Sequence, residues 1–381
     1  MRRNAVSVVG AAETTQLGVI PNMSQIQLHA DAALNAMADC GLRPKDIDGI
    51  ATANETPVQL AHYLGITPTW VDGTSVGGCS FMLHVRHAAA AIEAGLAKTI
   101  LITHGESGKS RIGNPPRSVP PSSLAGQFEQ PFGPMGPPSM FTIPVMRYMK
   151  TYGVTEEQIA QVSVVQREWA AMHPRATFRT PITTEDVLNS RMIAWPFRLL
   201  MCCLVTDGGG AFVLVRADRA RELAKTPVYV LGSGTAIWHR QVSSMADLTV
   251  TAATESGRAA YEMAGMTAKQ IDVVQLYDAF TINTLLFLED LGFCAKGEAG
   301  AFVEGGGIAP GGRLPVNTNG GGLSCTHPGM YGVFAVIEAV RQLRGECGQR
   351  QVPGSYTAIA HGNGGTLSSQ STVIFGTGDT L

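Results

Sequence analysis

The chain contains the stretch Ala36-x-x-x-x-Gly41-Leu42-x-x-Lys45-Asp46-Ile47-Asp48, which returns as Ala260-x-x-x-x-Gly265-Met266-x-x-Lys269-Gln270-Ile271-Asp272, 224 residues later at every matched position. In each copy a helical stretch ends at a glycine, and an Ile-Asp pair then opens a short apolar run. The pattern therefore predicts the same helix, connection and buried strand twice.

A second repeated segment is Ala90-x-Ile92-Glu93-Ala94, which returns as Ala335-x-Ile337-Glu338-Ala339 at an offset of 245 residues. In both copies a Gly-rich turn precedes a long Ala-rich helix. The two repeated segments occur in the same order in both halves and at similar offsets. This favours an internal duplication over chance similarity between Ala-rich helices. We expect two related halves, residues 1–220 and 226–381.

Apolar or β-branched runs alternate with helical stretches along the chain. The runs are residues 6–9, 47–52, 99–103, 211–215, 228–231 and 273–276, and the helical stretches include residues 28–40 and 83–93. Continuous apolar strands that alternate with helices indicate a sheet covered on both faces. The expected fold class is α/β.

Composition excludes several kinds of protein. The 381 residues are 45% hydrophobic and 15% charged, enough for a large core. A formal net charge of −2 provides no field to attract nucleic acid or an anionic membrane. No run of about 18 apolar residues predicts a membrane span. Seven scattered cysteines without a C-x-x-C pair favour a reducing cytoplasm and argue against a structural metal site.

Residues 108–138 interrupt the alternation with a segment dense in Pro, Gly and Ser, including Asn114-Pro115-Pro116. A loop of this kind inside a compact domain is usually functional or disordered. Helical spacing returns at residues 142–152 and 155–173, so we interpret residues 108–200 as a loop and insertion region within the first half. It is a candidate cover for a pocket, or a contact for a partner.

The first candidate for chemistry is Cys79, in Thr74-Ser75-Val76-Gly77-Gly78-Cys79-Ser80, just before a predicted helix. The positive end of a helix dipole and its unpaired N–H groups favour the thiolate, which is the nucleophilic form of cysteine. The alternative is a small buried residue in a crowded turn, as most free cysteines are.

The second candidate is His327, which follows the glycines Gly320-Gly321-Gly322 and precedes a proline. Consecutive glycines let backbone amides approach a ligand, and a histidine at a helix entry can point into a cleft. A lone histidine is more often structural, but the repeat pairs this turn with the Cys79 turn. We expect His327 to be catalytic, and Gly321, Gly322 and Met330 to contact the substrate.

Two further groups follow apolar strands. His361, Gly364 and Gly365 come after residues 356–360, at the strand end where open α/β sheets bind ligands, although the two glycines could simply form a tight turn. Tyr277 and Asn283 follow the second copy's Ile-Asp strand, where a polar residue could instead cap the next helix.

Asp207-Gly208-Gly209-Gly210 has the composition of a structural turn before the run at residues 211–215.

Together these segments resemble the thiolase superfamily, in particular the sterol-carrier-type thiolases and the bacterial thiolase-like "lipid-transfer" proteins. The likeness spans nearly the whole chain and is carried by Ile92-x-x-Gly95-x-Ala97, Gly105-Glu106-Ser107, Tyr277-Asp278-Ala279-Phe280, residues 316–328 and Gln342-Leu343-Arg344-Gly345. It implies a five-layer α-β-α-β-α fold, a homodimer, and acyl-coenzyme A substrates with no other cofactor. It also implies a small accessory protein with a zinc ribbon and an OB-fold.

Some of the family's catalytic residues are replaced. Ungapped counting back from Gly95 puts the nucleophilic cysteine at Gly78 and leaves Cys79 one step off. The second cysteine, an acid/base, is replaced by Ala279. The asparagine that helps to hold an oxyanion water is kept as Asn283, and the histidine of the family's Gly-His-Pro motif is kept as His327.

The leading hypothesis is a thiolase-type acyltransferase that makes or cleaves a C–C bond at a 3-oxoacyl-coenzyme A. Cys79 would carry the acyl group, and His327 and Asn283, through a water, would donate to the thioester oxygen. His361, or else Tyr277, would move the proton that the missing second cysteine would otherwise handle.

Two alternatives stay open. The first is a retro-aldolase that cleaves a 3-hydroxyacyl-coenzyme A without a covalent intermediate, with Tyr277 and His327 as base and oxyanion donor. Thiolase-like aldolases of steroid side-chain breakdown resemble the chain in having tyrosine at position 277. The second is a non-catalytic acyl-coenzyme A or lipid-binding protein, which Ala279 and the displaced Cys79 would favour.

Overall fold

The computed structural model describes residues 2–113, 119–134, 136–223 and 225–380. Its strands are β1 (Val6–Glu13), β2 (Gly49–Thr52), β3 (Trp70–Asp72), β4 (Thr99–Ser107), β5 (Met192–Ala194), β6 (Phe197–Arg198), β7 (Asp207–Arg216), β8 (Val228–Ile237), β9 (Val273–Leu276), β10 (Thr357–Gly364) and β11 (Ser369–Gly376).

Its helices are α1 (Gln25–Asp39), α2 (Pro57–Leu64), α3 (Ser80–Glu93), α4 (Leu124–Phe128), α5 (Pro137–Tyr152), α6 (Glu156–Ala171), α7 (Thr184–Asn189), α8 (Ala217–Ala220), α9 (Ala253–Ala264), α10 (Thr281–Asp290), α11 (Ala299–Glu304) and α12 (Gly332–Arg344). No helix among the described residues is both long and apolar enough to span a bilayer.

The main sheet has the strand order β3-β2-β4-β7-β1-β8-β11-β10-β9. Without β3, the sheet consists of two halves with equivalent strand orders. Counted inward from one edge the first half has β2-β4-β7-β1, and counted inward from the other edge the second half has β9-β10-β11-β8. The halves join where β1 pairs antiparallel with β8, through Ser7 with Tyr229 and Val8 with Val228. The predicted duplication is confirmed.

Helices form three layers around the two half-sheets. Helix α1 packs on β1, β4 and β7, while α9 packs on β8 and β11. Helices α3 and α12 lie between the half-sheets, since each contacts strands of both halves. Their apolar faces share one buried core with those strands. The α/β class and the five-layer α-β-α-β-α fold are confirmed.

The repeated Ile-Asp pair has a structural explanation. The carboxylate of Asp48 accepts backbone N–H bonds of 2.8–3.0 Å from the start of β4. The carboxylate of Asp272 accepts two backbone bonds of 2.9 Å from the start of β10. Each aspartate therefore ties its own short strand to the parallel neighbour, and the backbone pairs these strands in the same register in both halves.

The second repeated segment correctly pairs α3 with α12, but it aligns the two helices in the wrong register. Glu93 ends α3, whereas Glu338 lies in the middle of α12. The equivalent helix ends are Gly95 (φ 73°) and Gly345 (φ 72°), which are 250 residues apart in the sequence rather than 245. Ala-rich helices offer several similar registers, and only the left-handed glycine marks the true one.

The region between β4 and β7 contains helices as well as loops, and the helical spacing predicted at residues 142–152 and 155–173 corresponds to α5 and α6. It contains α4 to α7 and the β5–β6 hairpin, and α6 packs against α10 and α11 of the second half. Residues 114–118 and 135 of the predicted Pro-rich loop lie outside the described residues.

Asp207-Gly208-Gly209-Gly210 is the beginning of β7 and not a turn, so that prediction is wrong. The glycines belong there because the strand is crowded: a Cβ on Gly209 would lie 2.3 Å from the carbonyl oxygen of His104. The Asp207 carboxylate accepts backbone N–H bonds from Ile20, Lys109 and Ser110, each 2.8 Å long, and its role is structural.

Candidate active site

The N-terminal ends of α3 and α12 meet between the two half-sheets. A Cβ on Gly332, the first residue of α12, would lie 2.0 Å from the carbonyl oxygen of Gly78. The turn before α3 is therefore in direct contact with the start of α12, which follows the Gly-rich His327 turn, and the shared interface predicted for the two turns is present.

Tyr277 and His327 form a buried, hydrogen-bonded pair at this interface. Tyr277 follows directly after β9, and His327 lies between a π-helical turn (Gly321–Cys325) and α12. The phenol Oη is 2.9 Å from the imidazole Nε2, and the two rings are perpendicular. Tyr277 is 5% exposed and His327 is 8% exposed. A phenol in contact with an imidazole provides a path for proton transfer.

The ring of Tyr277 fills the space next to Gly78. A Cβ on Gly78 would lie 2.0 Å from Cε2 of Tyr277 and 2.8 Å from the carbonyl oxygen of Asn363. Gly78 is the position that ungapped counting matches to the family's nucleophilic cysteine. A phenol therefore occupies the place of that thiol.

Cys79 does not share this space. Its side chain is fully buried, and its Sγ lies 3.6 Å from the carbonyl oxygen of Val76. A Cβ on Gly364 would be 3.2 Å from the same sulfur, so the thiol packs against the backbone of β10. Burial raises the pKa of the Cys79 thiol to about 12. Its position next to a helix N-terminus does not produce the thiolate that we expected.

The Tyr277 phenol is protonated at neutral pH. Burial raises its pKa well above the usual value, and nearby Cys203 and Asp278 add to this effect. The phenol thus has a proton to donate to His327, and Nε2 accepts it in the tautomer that carries the imidazole proton on Nδ1.

Asp278 holds the glycine turn that precedes His327. Its carboxylate accepts the Gly322 N–H at 2.6 Å, and the Gly321 N–H donates to Asn319 Oδ1 at 2.8 Å. Both amides are satisfied inside the protein, so the interpretation that they approach a ligand is wrong. The glycines are instead required by packing, because a Cβ on Gly321 would lie 2.1 Å from Asp278 Oδ2.

Burial raises the pKa of the Asp278 carboxyl to about 8, although backbone N–H bonds from Gly322 and Leu323 oppose the shift. This carboxyl lies immediately after Tyr277 in the chain and titrates close to neutral pH.

Asn283 lies in the first turn of α10 and is fully buried. Neither the nitrogen nor the oxygen of its side-chain amide has a hydrogen-bond partner among the described residues. A buried amide without a partner is rare, and a water or a substrate oxygen can satisfy it. The predicted role of Asn283 in holding an oxyanion water is compatible with this geometry.

His361 is a structural residue in this geometry. Its Nδ1 lies 2.8 Å from Thr372 Oγ1 and its Nε2 lies 3.0 Å from Gln370 Oε1. The ring packs edge-on against Phe287, and burial lowers its pKa to about 3. Because both ring nitrogens are engaged in the protein, we withdraw the prediction that His361 moves a proton to or from the substrate.

The remaining candidates line the site less directly. Gly364 is the last residue of β10 and Gly365 begins the turn to β11, and a Cβ on Gly77 would lie 2.7 Å from the Cα of Gly364. Met330 is 5% exposed and belongs to the core between the half-sheets. Contact of these three residues with a substrate stays a prediction.

Two residues that anchor the His327 turn were missed. His104 Nε2 lies 2.8 Å from the carbonyl oxygen of Pro328, and the hydroxyl of Thr206 accepts the His327 N–H at 2.9 Å. His104 follows the predicted strand at residues 99–103. His361 was selected because it follows an apolar strand, and the same argument would have selected His104. Nothing in the sequence around Thr206 indicates its role.

Known proteins share this fold along its whole length. The thiolase C-terminal domain-like family matches residues 234–377. An "Acetyl-CoA acetyltransferase" of Methanothermobacter thermautotrophicus is 35% identical, over 97% of this chain and 99% of its own. A "17-hydroxy-3-oxo-4-pregnene-20-carboxyl-CoA lyase" of Mycobacterium tuberculosis is also 35% identical, over 84% of this chain and 87% of its own.

Among solved structures, the "Ltp2-ChsH2(DUF35) aldolase" superimposes with a TM-score of 0.91 and 32% identity, covering 99% of both chains. The chain therefore belongs to the thiolase superfamily, in its sterol-carrier-type branch. The relatives that are 35% identical over at least 84% of the chain carry the names of two kinds of enzyme, an acyltransferase and an aldolase or lyase.

Proposed function

We propose that the protein is a retro-aldolase that cleaves the Cα–Cβ bond of a 3-hydroxyacyl-coenzyme A without an acyl-enzyme intermediate. The observation that carries this proposal is the Tyr277 ring in the space beside Gly78. Both kinds of relative support C–C bond chemistry next to a thioester carbonyl, and they support acyl transfer and aldol cleavage equally. The geometry of Tyr277, Gly78 and Cys79 favours aldol cleavage.

The Tyr277–His327 pair supplies the base. Tyr277 takes the proton of the substrate's 3-hydroxyl as its own phenol proton passes to Nε2 of His327. The Cα–Cβ bond then breaks: Cβ becomes a ketone or aldehyde carbonyl, and the bonding electrons move into the thioester as an enolate. The pair returns one proton to Cα, which gives a shortened acyl-coenzyme A and restores the enzyme. No oxidant, reductant or free coenzyme A is consumed.

The enolate oxygen needs a hydrogen-bond donor in a site without bulk water. The unpartnered amide of Asn283 is the candidate, directly or through a water. Loss of one such donor typically lowers the rate by about 10²–10³.

The substrate class follows from the lyase relative. A 17-hydroxy-3-oxo-4-pregnene-20-carboxyl thioester is itself a 3-hydroxyacyl-coenzyme A, since its hydroxyl is on the carbon β to the thioester carbonyl. We therefore propose a ring-bearing acyl chain, with this steroid thioester as the first probe.

The test is cleavage of this thioester by the purified protein in the absence of free coenzyme A, with both products identified by mass spectrometry. Tyr277→Phe keeps the ring that fills the Gly78 space but removes the hydroxyl, and we expect it to lower kcat by about 10²–10⁴. Cleavage that requires added coenzyme A, or full activity in Tyr277→Phe, would overturn the proposal.

A thiolase-type acyltransferase is the second candidate, favoured by the archaeal acetyltransferase that matches 97% of the chain. It requires Cys79 to leave its packed position and reach the substrate carbonyl. Its signature is coenzyme A-dependent cleavage of a 3-oxoacyl-coenzyme A, with an acyl group trapped on Cys79. A protein that binds the thioester tightly but turns over neither substrate would be a non-catalytic carrier.

We also propose a cytoplasmic homodimer that works with a small accessory protein carrying a zinc ribbon and an OB-fold. All seven cysteines are unpaired, which supports a reducing compartment. The name of the similar aldolase structure pairs Ltp2 with ChsH2(DUF35), which supports an accessory partner. Co-expression with a candidate partner, followed by size-exclusion chromatography with light scattering, tests both assemblies.

A further inference from the structure

The turn that presents His327 belongs to the second half of the chain, but two of its backbone anchors come from the first. His104, near the end of β4, bonds the carbonyl oxygen of Pro328 at 2.8 Å. Thr206, just before β7, accepts the His327 N–H at 2.9 Å. The two anchors flank the catalytic imidazole along the backbone.

The contact of His104 has a defined polarity. The ring is fully buried, and burial lowers its pKa, so the imidazole is neutral. A carbonyl oxygen only accepts, and therefore Nε2 of His104 carries the proton and donates. The Phe81 ring lies 5.2 Å away, centroid to centroid, and limits the movement of the imidazole.

His29 provides a contrast within the same cluster. It is also fully buried, its ring lies 5.9 Å from that of His104, and burial lowers its pKa as well. Its Nδ1 contacts Thr103 Oγ1 at 2.8 Å, within the first half. The two histidines thus share burial and surroundings, but the bond from His104 is the one that reaches the His327 turn.

We infer that His104 is a positioning residue for His327: its N–H bond to the Pro328 carbonyl sets the distance between Nε2 of His327 and Oη of Tyr277. This inference rests on the proposed function, because the distance matters when a proton crosses it. A hydrogen bond weakens steeply once donor and acceptor separate beyond about 3.2 Å, and catalytic groups must be held to within about 0.5 Å.

The experiment compares His104→Leu, His104→Gln and His29→Leu. Leucine removes the donor at similar volume, whereas the glutamine amide can replace Nε2–H. With the steroid thioester as substrate, we expect His104→Leu to lower kcat by about 10–100-fold and to leave KM within about 3-fold. His104→Gln should recover to within about 5-fold of wild type. His29→Leu should lower the thermal midpoint to a similar extent as His104→Leu while keeping kcat.

Equal loss of kcat in His104→Leu and His29→Leu, or no recovery in His104→Gln, would show a merely structural role. If His104→Leu does not fold, Thr206→Val removes the other anchor and Thr206→Ser restores it, with the same expectations.

A readout without turnover separates this inference from the proposed function. In protein labelled with 15N-histidine, the His327 signal is assigned as the one that His327→Gln loses among nine histidines. We expect its Nε2 shift to move in His104→Leu and to stay in His29→Leu. An unchanged shift in His104→Leu overturns the inference. A wild type that cleaves no 3-hydroxyacyl-coenzyme A overturns the proposed function and leaves this result standing.

Discussion

A Cβ at position 78 would lie 2.0 Å from Cε2 of Tyr277, so a side chain at one position and the phenol at the other exclude each other. Heavy atoms in contact stay more than 3 Å apart. In a packed core, neither the turn that precedes α3 nor the end of β9 can shift by a full ångström. In this backbone, a side chain at position 78 and a phenol against His327 are therefore alternatives. This chain has the phenol.

The first prediction concerns Gly78→Ala. The added methyl group must displace the Tyr277 ring, which we expect to cost about 1–3 kcal/mol of stability and to lower kcat by at least about 100-fold. The measurements are the urea midpoint and kcat with the steroid thioester. Gly73→Ala is the matched control, because its Cβ would approach no closer than 3.4 Å, to Pro57, and should change neither. A fully active Gly78→Ala variant would mean that the ring position has no part in catalysis.

The second prediction is that Cys79→Ala keeps kcat within about 3-fold of wild type. The thiol is buried against the backbone with its pKa raised to about 12, so it is neither accessible nor ionised at neutral pH. Intact-protein mass spectrometry of the wild type during turnover should show no acyl adduct. An adduct on Cys79 together with an inactive Cys79→Ala variant would instead establish acyl transfer.

The repeat made the fold predictable because its matched residues have one structural role in both halves. The glycine ends the helix, the isoleucine enters the core, and the aspartate ties two strands. Strand β3 and the β5–β6 hairpin were missed because they are short and partly exposed and lack a continuous apolar run. The Asp207 stretch was misjudged because close packing inside a strand and a tight turn both select glycine.

The candidate site was predicted less completely, for a different reason. Tyr277, His327 and Asn283 follow strand ends or glycine turns, which local sequence reveals. The roles of Cys79 and His361 depend on the direction of the side chain, and a shift of one residue turns a side chain to the opposite face. Sequence alone placed Cys79 beside the site and could not show that its sulfur packs against the backbone of Val76 and Gly364.

The third prediction separates His361 from His327. His361→Ala removes the partner of Gln370 Oε1 and one of the contacts of Thr372 Oγ1, which keeps Ser256 Oγ at 2.9 Å. The unsatisfied amide oxygen costs about 1–3 kcal/mol. We expect a lower thermal midpoint and an unchanged kcat per folded molecule. His327→Gln should show the reverse, a small change in midpoint with a loss of kcat of at least about 100-fold. If His361→Ala abolishes turnover while the fold persists, the histidine has a catalytic role after all.

The fourth prediction follows from the Asp278 carboxyl, whose pKa is raised from 3.8 to about 8. The folded protein holds this proton more tightly than the unfolded chain. Its contribution to stability is thus full below about pH 4, falls as the pH rises, and is lost above about pH 8. We expect the wild-type midpoint to decline between pH 6 and 8, and the decline to be smaller in Asp278→Asn, whose side chain does not ionise. Parallel curves for the two proteins would contradict the shifted pKa.

The last prediction tests the duplication through its aspartates. Asp48 and Asp272 are half-buried, and each accepts at least two backbone N–H bonds from the start of the neighbouring strand. Hydrogen bonds to a charged group contribute about 1.5–3 kcal/mol to stability. We therefore expect Asp48→Ala and Asp272→Ala to lower the free energy of unfolding, measured by urea denaturation, by amounts that are similar to each other. Asp48→Asn and Asp272→Asn, which keep one acceptor oxygen, should lose less.

The two sites lie in different halves without a shared partner, and the double alanine variant should therefore show the sum of the single effects to within about 0.5 kcal/mol. A silent substitution at one position and a large effect at the other would mean that the repeated motif no longer has the same role in both halves.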